Sequence, residues 1–129
     1  MSPLKIFTLL IFLANTAVSV SHGFEVSISN NLGVNTKLTV HCKNNAEDLG
    51  SHVLENDGEF KWDFSIGTGT PVNYYCDLAS GSIGGQFNLF DENRDVARCG
   101  GQTCFWRVIG EGIYLFIKAN NDYEKQFHW

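Results

Sequence analysis

His41 stands directly before Cys42, and a thiol beside an imidazole is the arrangement of a nucleophile with its base. Both residues fall in the alternating run Leu38-Thr39-Val40-His41-Cys42, so their side chains leave a strand on opposite faces and cannot meet. Cys42 therefore reads as structural. His52, Asp48 and His128 carry metal-ligating atoms, yet their spacing matches no recognised ligand pattern, and they read as solvated surface with no metal and no cofactor. His41 and His52 with a lysine would suit phosphodiester hydrolysis, but the chain has no basic run to hold such a substrate. No catalytic role is expected, and attention passes to binding.

The aromatic residues suggest one binding chemistry. Trp62, Trp106 and Trp129, with the pair Tyr74-Tyr75, would suit a surface on which sugar rings stack. Trp62 and Trp106, however, alternate in phase with Phe60, Phe64, Cys104 and Val108, which places them in a core. Trp129, two residues after Phe127, is expected to pack down the chain end. Charge suggests a second surface. Asp91, Glu92, Arg94, Asp95 and Arg98 put both signs on a short hydrophilic connection before Cys99, read as a loop whose charge selects a partner. Residues 44–48 form a second candidate loop.

The elements that position these residues follow a period of two. Val26 and Ile28 alternate with Glu25, Ser27 and Ser29, and Phe60, Trp62 and Phe64 with Lys61 and Asp63. Strands are also expected at 38–42, 73–78, 86–90, 105–109 and 113–119. Asn56-Asp57-Gly58 has the composition of a tight turn and predicts a hairpin joining 52–55 to 59–64. Segments 46–50 and 120–123 read as helical turns. Seven or eight short strands define an all-β, small antiparallel sandwich of one domain.

Lys5 followed by the apolar run Ile6–Leu13, with small residues at Ser19, Ser21 and Gly23, reads as a cleaved secretory leader over residues 1–23. Its apolar core is shorter than a membrane span, so no membrane insertion is expected. Removing it leaves 106 residues, with 14 acidic against eight basic side chains (nine in the whole chain, less Lys5), a formal charge of −6. That balance argues against nucleic acid as a partner. No Asn-x-Ser/Thr sequon occurs.

Four cysteines in a short secreted chain predict two disulfides. Three pairings are open. The apolar-facing strand positions of Cys42 and Cys104 favour Cys42–Cys104 with Cys76–Cys99.

These motifs come in a specific order. Val-Ser-Ile-Ser-Asn-Asn-Leu (26–32) precedes Leu-Thr-Val-His-Cys-Lys-Asn-Asn-Ala-Glu-Asp-Leu-Gly (38–50) and Phe-Lys-Trp-Asp-Phe (60–64). Tyr-Tyr-Cys-Asp (74–77), Phe-Asn-Leu-Phe-Asp (87–91), Cys-x4-Cys-Phe-Trp (99–106), Gly-Ile-Tyr (112–114) and the terminal Trp129 follow. The chain resembles the plant self-incompatibility S-protein homologue family over nearly all of its mature length. Ala46 stands where that family more often has a polar or acidic residue. The resemblance implies a secreted β-sandwich with two disulfides and no catalytic activity. It also implies an extracellular ligand for a cell-surface receptor, which in some members signals rejection of pollen. A wall- or defence-associated carbohydrate-binding protein is the alternative.

Overall fold

A computed structural model describes residues 22–129. The expected leader lies outside the described residues, except for its last two positions, His22 and Gly23. These open the first strand, β1 (His22–Asn30). Eight further strands follow: β2 (Leu38–Lys43), β3 (Asp48–Leu54), β4 (Glu59–Ile66), β5 (Asn73–Ser80), β6 (Ile83–Asp91), β7 (Thr103–Ile109), β8 (Gly112–Ile117) and β9 (Asp122–Phe127). One helix, α1 (Glu92–Cys99), lies between β6 and β7, and a 3-10 turn (Lys118–Asn120) lies between β8 and β9.

The strands form two sheets, β4-β1-β7-β8-β9 and β3-β2-β5-β6. All neighbours are antiparallel except β1 and β7, which run parallel. The all-β sandwich expected from the alternation is present. Its inward positions meet in one core: Val26, Ile28, Trp106, Val108 and Leu115 from the first sheet, and Val40, Cys42, Cys76, Leu78 and Leu89 from the second. Rings join the sheets, with Phe24 and Phe64 against Phe90 at centroid distances of 5.2 and 4.9 Å and Trp62 edge-on to Tyr74 at 5.3 Å. Trp62 and Trp106 are buried as expected, and Trp129 anchors the chain end by donating Nε1–H to the Ile109 carbonyl at 3.0 Å.

The Asn56-Asp57-Gly58 turn forms, with Asp57 at φ 66° and the Gly58 amide donating to the Glu55 carbonyl at 2.9 Å, but it does not make a hairpin. β3 pairs with β2 and β4 with β1, so the turn crosses from one sheet to the other. Buried Asn30 makes that crossing. Its Nδ2 donates to the Thr36 and Leu54 carbonyls at 2.8 and 2.9 Å, its Oδ1 accepts from the Leu32 amide, and its backbone bonds both Asp57 and Gly58. The segments read as helical turns also differ: β3 already begins at Asp48, and the single 3-10 turn at 118–120 leads into the unexpected strand β9.

The disulfides are Cys42–Cys76 and Cys99–Cys104, which corrects the expected pairing. Cys42 and Cys104 do face the core, but from β2 and β7 in opposite sheets, and facing sheets stand about 10 Å apart. Cys76, by contrast, is the direct antiparallel partner of Cys42, with Cα atoms 4.0 Å apart. Cys99 ends α1 five residues before Cys104 at the start of β7.

Candidate functional site

The charged segment before Cys99 is a helix, not a loop, in which Asp95 is buried while Asp91, Glu92, Arg94 and Arg98 are half-buried. Asp91 caps it, Oδ1 accepting from the Asn93 and Arg94 amides at 3.0 and 3.3 Å. Gly100 ends it in the left-handed conformation at φ 61° and ψ 48°, where a Cβ would also strike Lys118. α1 packs on β6, β7 and β8, which puts Asp95 at the interface with 0% exposure.

The Asp95 carboxylate accepts from Arg94 Nε and Nη2 at 2.8 Å each, from Arg98 Nε and Nη2 at 3.0 and 2.6 Å, and from the Asp91 amide at 2.9 Å. Those hydrogen bonds hold the Arg94 guanidinium even more firmly in its charged form. Arg94 also donates to the Asn88 carbonyl, tying α1 to β6, and Arg98 donates to Gln126 on β9. Glu92 is committed as well, its carboxylate accepting from the amides of Gly67 and Val72 at 3.1 and 3.0 Å. Of the five residues expected to face a partner, all five bind this chain.

Glu92 braces the β4–β5 connection (67–72), and that connection forms one wall of a cleft. Thr68, Thr70, Pro71 and Val72 line this side, and Asn44, Asn45 and Ala46 of the β2–β3 turn line the other. Asn73 and Tyr75 make the floor, and the volume is about 350 Å³. A second depression of about 240 Å³ adjoins it around Tyr75, walled by Lys43, Asn44, Asn45 and Gln86. The second sequence candidate, residues 44–48, therefore does border an opening in the surface.

Local chemistry fixes the β2–β3 wall. Asn44 Oδ1 accepts from the Ala46 and Glu47 amides at 2.9 Å each, closing the turn, and Glu47 accepts from the Tyr74 hydroxyl. Burial, and then the Glu47 carboxylate, push the Tyr74 hydroxyl well above the ordinary tyrosine range, so it stays neutral. Asp48 Oδ1 accepts from the Gly50 amide at 2.8 Å and sits 2.6 Å from His41 Nε2. The Gly50 bond first, then His41, hold the Asp48 carboxyl below the usual carboxylate range. His41 thus faces Asp48 on the outer surface, while Cys42 points inward to its disulfide.

As a binding residue, Tyr75 entered the sequence reading only as half of the Tyr74-Tyr75 pair and Asn73 not at all, although the alternation held the signal. Tyr74, Cys76 and Leu78 point inward along β5, so Asn73, Tyr75 and Asp77 must point out. Tyr75 is 47% exposed, whereas its neighbour Tyr74 is buried. His52 donates through Nε2 to the Leu49 carbonyl at 2.8 Å and stacks on Phe60, and among the described residues no group of histidine, cysteine and carboxylate side chains is arranged to hold a metal.

Fold and site together define a disulfide-stapled, two-sheet sandwich with one end shaped by braced loops. The sequence profile described as plant self-incompatibility protein S1 matches residues 25–129, and the chain belongs to that family. Among Arabidopsis thaliana relatives, S-protein homolog 24 is 35% identical over 78 residues, covering 60% of this chain and 51% of that one. S-protein homolog 29 is 24% identical with 97% and 96% covered, and S-protein homolog 19 is 32% identical with 71% and 68% covered. A solved structure of self-incompatibility protein homologues, described as small, highly stable, secreted plant proteins, superimposes with a TM-score of 0.54 at 16% identity. The match covers 84% of this chain and 91% of that one.

Proposed function

We infer that this chain works outside the cell as a recognition protein, read by a receptor protein at a plant cell surface, and that it catalyses no reaction. The observation that carries this reading is the braced loop end. Glu92 clamps the 67–72 connection and Asn44 closes the β2–β3 turn, so the sandwich presents a preorganised surface instead of mobile loops. Family membership and the leader-like N-terminus support secretion, and the solved relatives are described as secreted. The absence of catalysis is supported by the fate of the reactive side chains. All four cysteines are in disulfides, and His41 and His52 are engaged on the surface with Asp48 and Leu49.

The test is binding of the labelled chain, as secreted by a plant expression host, to intact protoplasts from several tissues. Saturable binding that protease treatment of the cells removes is the expected result, and non-saturable binding on every tissue would refute a receptor. A part in pollen rejection further requires that the purified chain arrest growth of some pollen genotypes. Unaffected growth of all genotypes would remove that part alone.

A further inference from the structure

The cleft around Tyr75 has a composition that the receptor reading does not use. Asn73 and Tyr75 share the outward face of β5, with Lys43 directly beside Tyr75 on β2 and Gln86 beside Asp77 on β6. The nearby carboxylates are occupied: Glu47 by the Tyr74 hydroxyl, Glu92 by two backbone amides, and Asp77 by Gln86 Nε2 at 3.2 Å. Among the described residues, the side chains of Asn45, Asn73, Thr68 and Thr70 make no hydrogen bonds within the protein, which leaves amides and hydroxyls facing the opening. Lys43 is the one formally charged residue of the lining.

We propose that this cleft is a binding site for a neutral oligosaccharide, with one sugar ring seated on Tyr75 and its hydroxyls bonded by the surrounding amide and hydroxyl side chains. A pyranose with equatorial substituents has a flat face of polarised C–H groups and a rim of hydroxyls. An aromatic face is electron-rich and attracts the first, and side-chain amides, each both donor and acceptor, match the second. Other ligand classes fit less well. The volume lies at the lower end of the range for small-ligand pockets. A lipid chain would bury the unpartnered amides and hydroxyls of Asn45, Thr68, Thr70 and Asn73, and an anion would meet a chain of formal charge −5 with a single lysine nearby.

The other exposed aromatic patch lacks these features. On the outer face of the β4-β1-β7-β8-β9 sheet, Tyr123 is covered by Arg107 at 4.3 Å and packed edge-on by Phe116 at 5.3 Å, and Phe105 lies beside Ser27 of β1 in register. Phe105 is as exposed as Tyr75, at 47%, and so serves as the control.

The experiment is a ¹⁵N-resolved NMR titration of the secreted, oxidised chain with cellotetraose, as a wall-type glucan, and separately with a free high-mannose N-glycan, as the sugar a receptor glycoprotein would carry. Saturable shifts confined to residues 43–46, 68–75 and 86 with either sugar support the site and name the source. Tyr75→Ala is expected to weaken binding at least about tenfold, as loss of a central aromatic contact does, while Tyr75→Phe and Phe105→Ala retain it. Absence of saturable shifts with both sugars, shifts centred on Phe105, or undiminished binding by Tyr75→Ala would each overturn the proposal. Because no cell or receptor enters this titration, its failure leaves the receptor reading standing, and failure on protoplasts leaves the sugar site standing.

Discussion

The helix α1 and the Tyr75 cleft use their polar side chains in opposite ways. Around α1 the charged side chains bond to one another and to the backbone, and the buried Asp95 carboxylate takes five hydrogen bonds from two guanidiniums and an amide. Around Tyr75 the lining side chains are neutral apart from Lys43, and several make no hydrogen bond within the protein. A charge that can find a partner across a packed interface becomes part of the framework, whereas amides and hydroxyls on an outward strand face stay available.

Each region has its own disulfide, so the comparison can be broken from either side. Removing Cys42–Cys76, which lies under the cleft, by a double substitution to alanine should cost about 4 kcal/mol, against about 2 kcal/mol for Cys99–Cys104, because the first closes 34 residues of chain and the second five. Chemical denaturation of the two variants measures the difference, and equal losses would show that loop closure is not what the bridges contribute. Peptide mapping under non-reducing conditions should find Cys42 joined to Cys76, and recovery of a Cys42–Cys104 peptide would reinstate the pairing inferred from the sequence.

Asp95→Ala should destabilise by about 3 kcal/mol, since it leaves two guanidiniums facing each other across an emptied site, and should lower Tm by roughly 15 °C. Tyr75→Ala, which removes a half-exposed ring, should move Tm by no more than about 2 °C. Similar losses in the two variants would mean that the cleft is as much framework as the helix, and thermal unfolding decides it.

The smallest effect is at the border of the cleft. Asp48 is held below its ordinary range by the Gly50 amide and by His41, with Lys43 on the same strand and Asp77 opposite His41 in register. A depressed carboxyl stabilises the fold above its unfolded value and loses that contribution as pH falls through the folded one. The Tm difference between the native chain and Asp48→Asn should therefore shrink as pH falls below about 4. A difference that stays flat down to pH 2.5 would show that the Asp48 contacts do not persist in solution.

How much of this was legible beforehand depends on the range of the interaction concerned. The helix carried local signals that a strand-dominated pattern obscured: Asp91 as cap, Glu92 in the first turn, Arg98 in the last and Gly100 just past the end. Its eight residues offer only Val96 and Cys99 as inward apolar side chains, and its other inward position, Asp95, is a charge, so the apolar stripe by which a helix is ordinarily recognised is missing. The β9 strand was hidden for a related reason. Its Tyr123 and Phe127 are only half-buried at a sheet edge, so the alternation is weak.

The amino-acid order by itself determined the faces of the strands, the burial of Trp62 and Trp106, the turn at Asp57 and the number of disulfides, because each of these follows from neighbours a few residues apart. It also placed Tyr75 outward, opposite to Tyr74. Only the tertiary structure decided which sheet receives each strand, which cysteines meet, where the charges of α1 go and what stands around Tyr75. Each of these is a choice among several distant partners of similar chemistry, and the choice is made by packing the whole chain into one core.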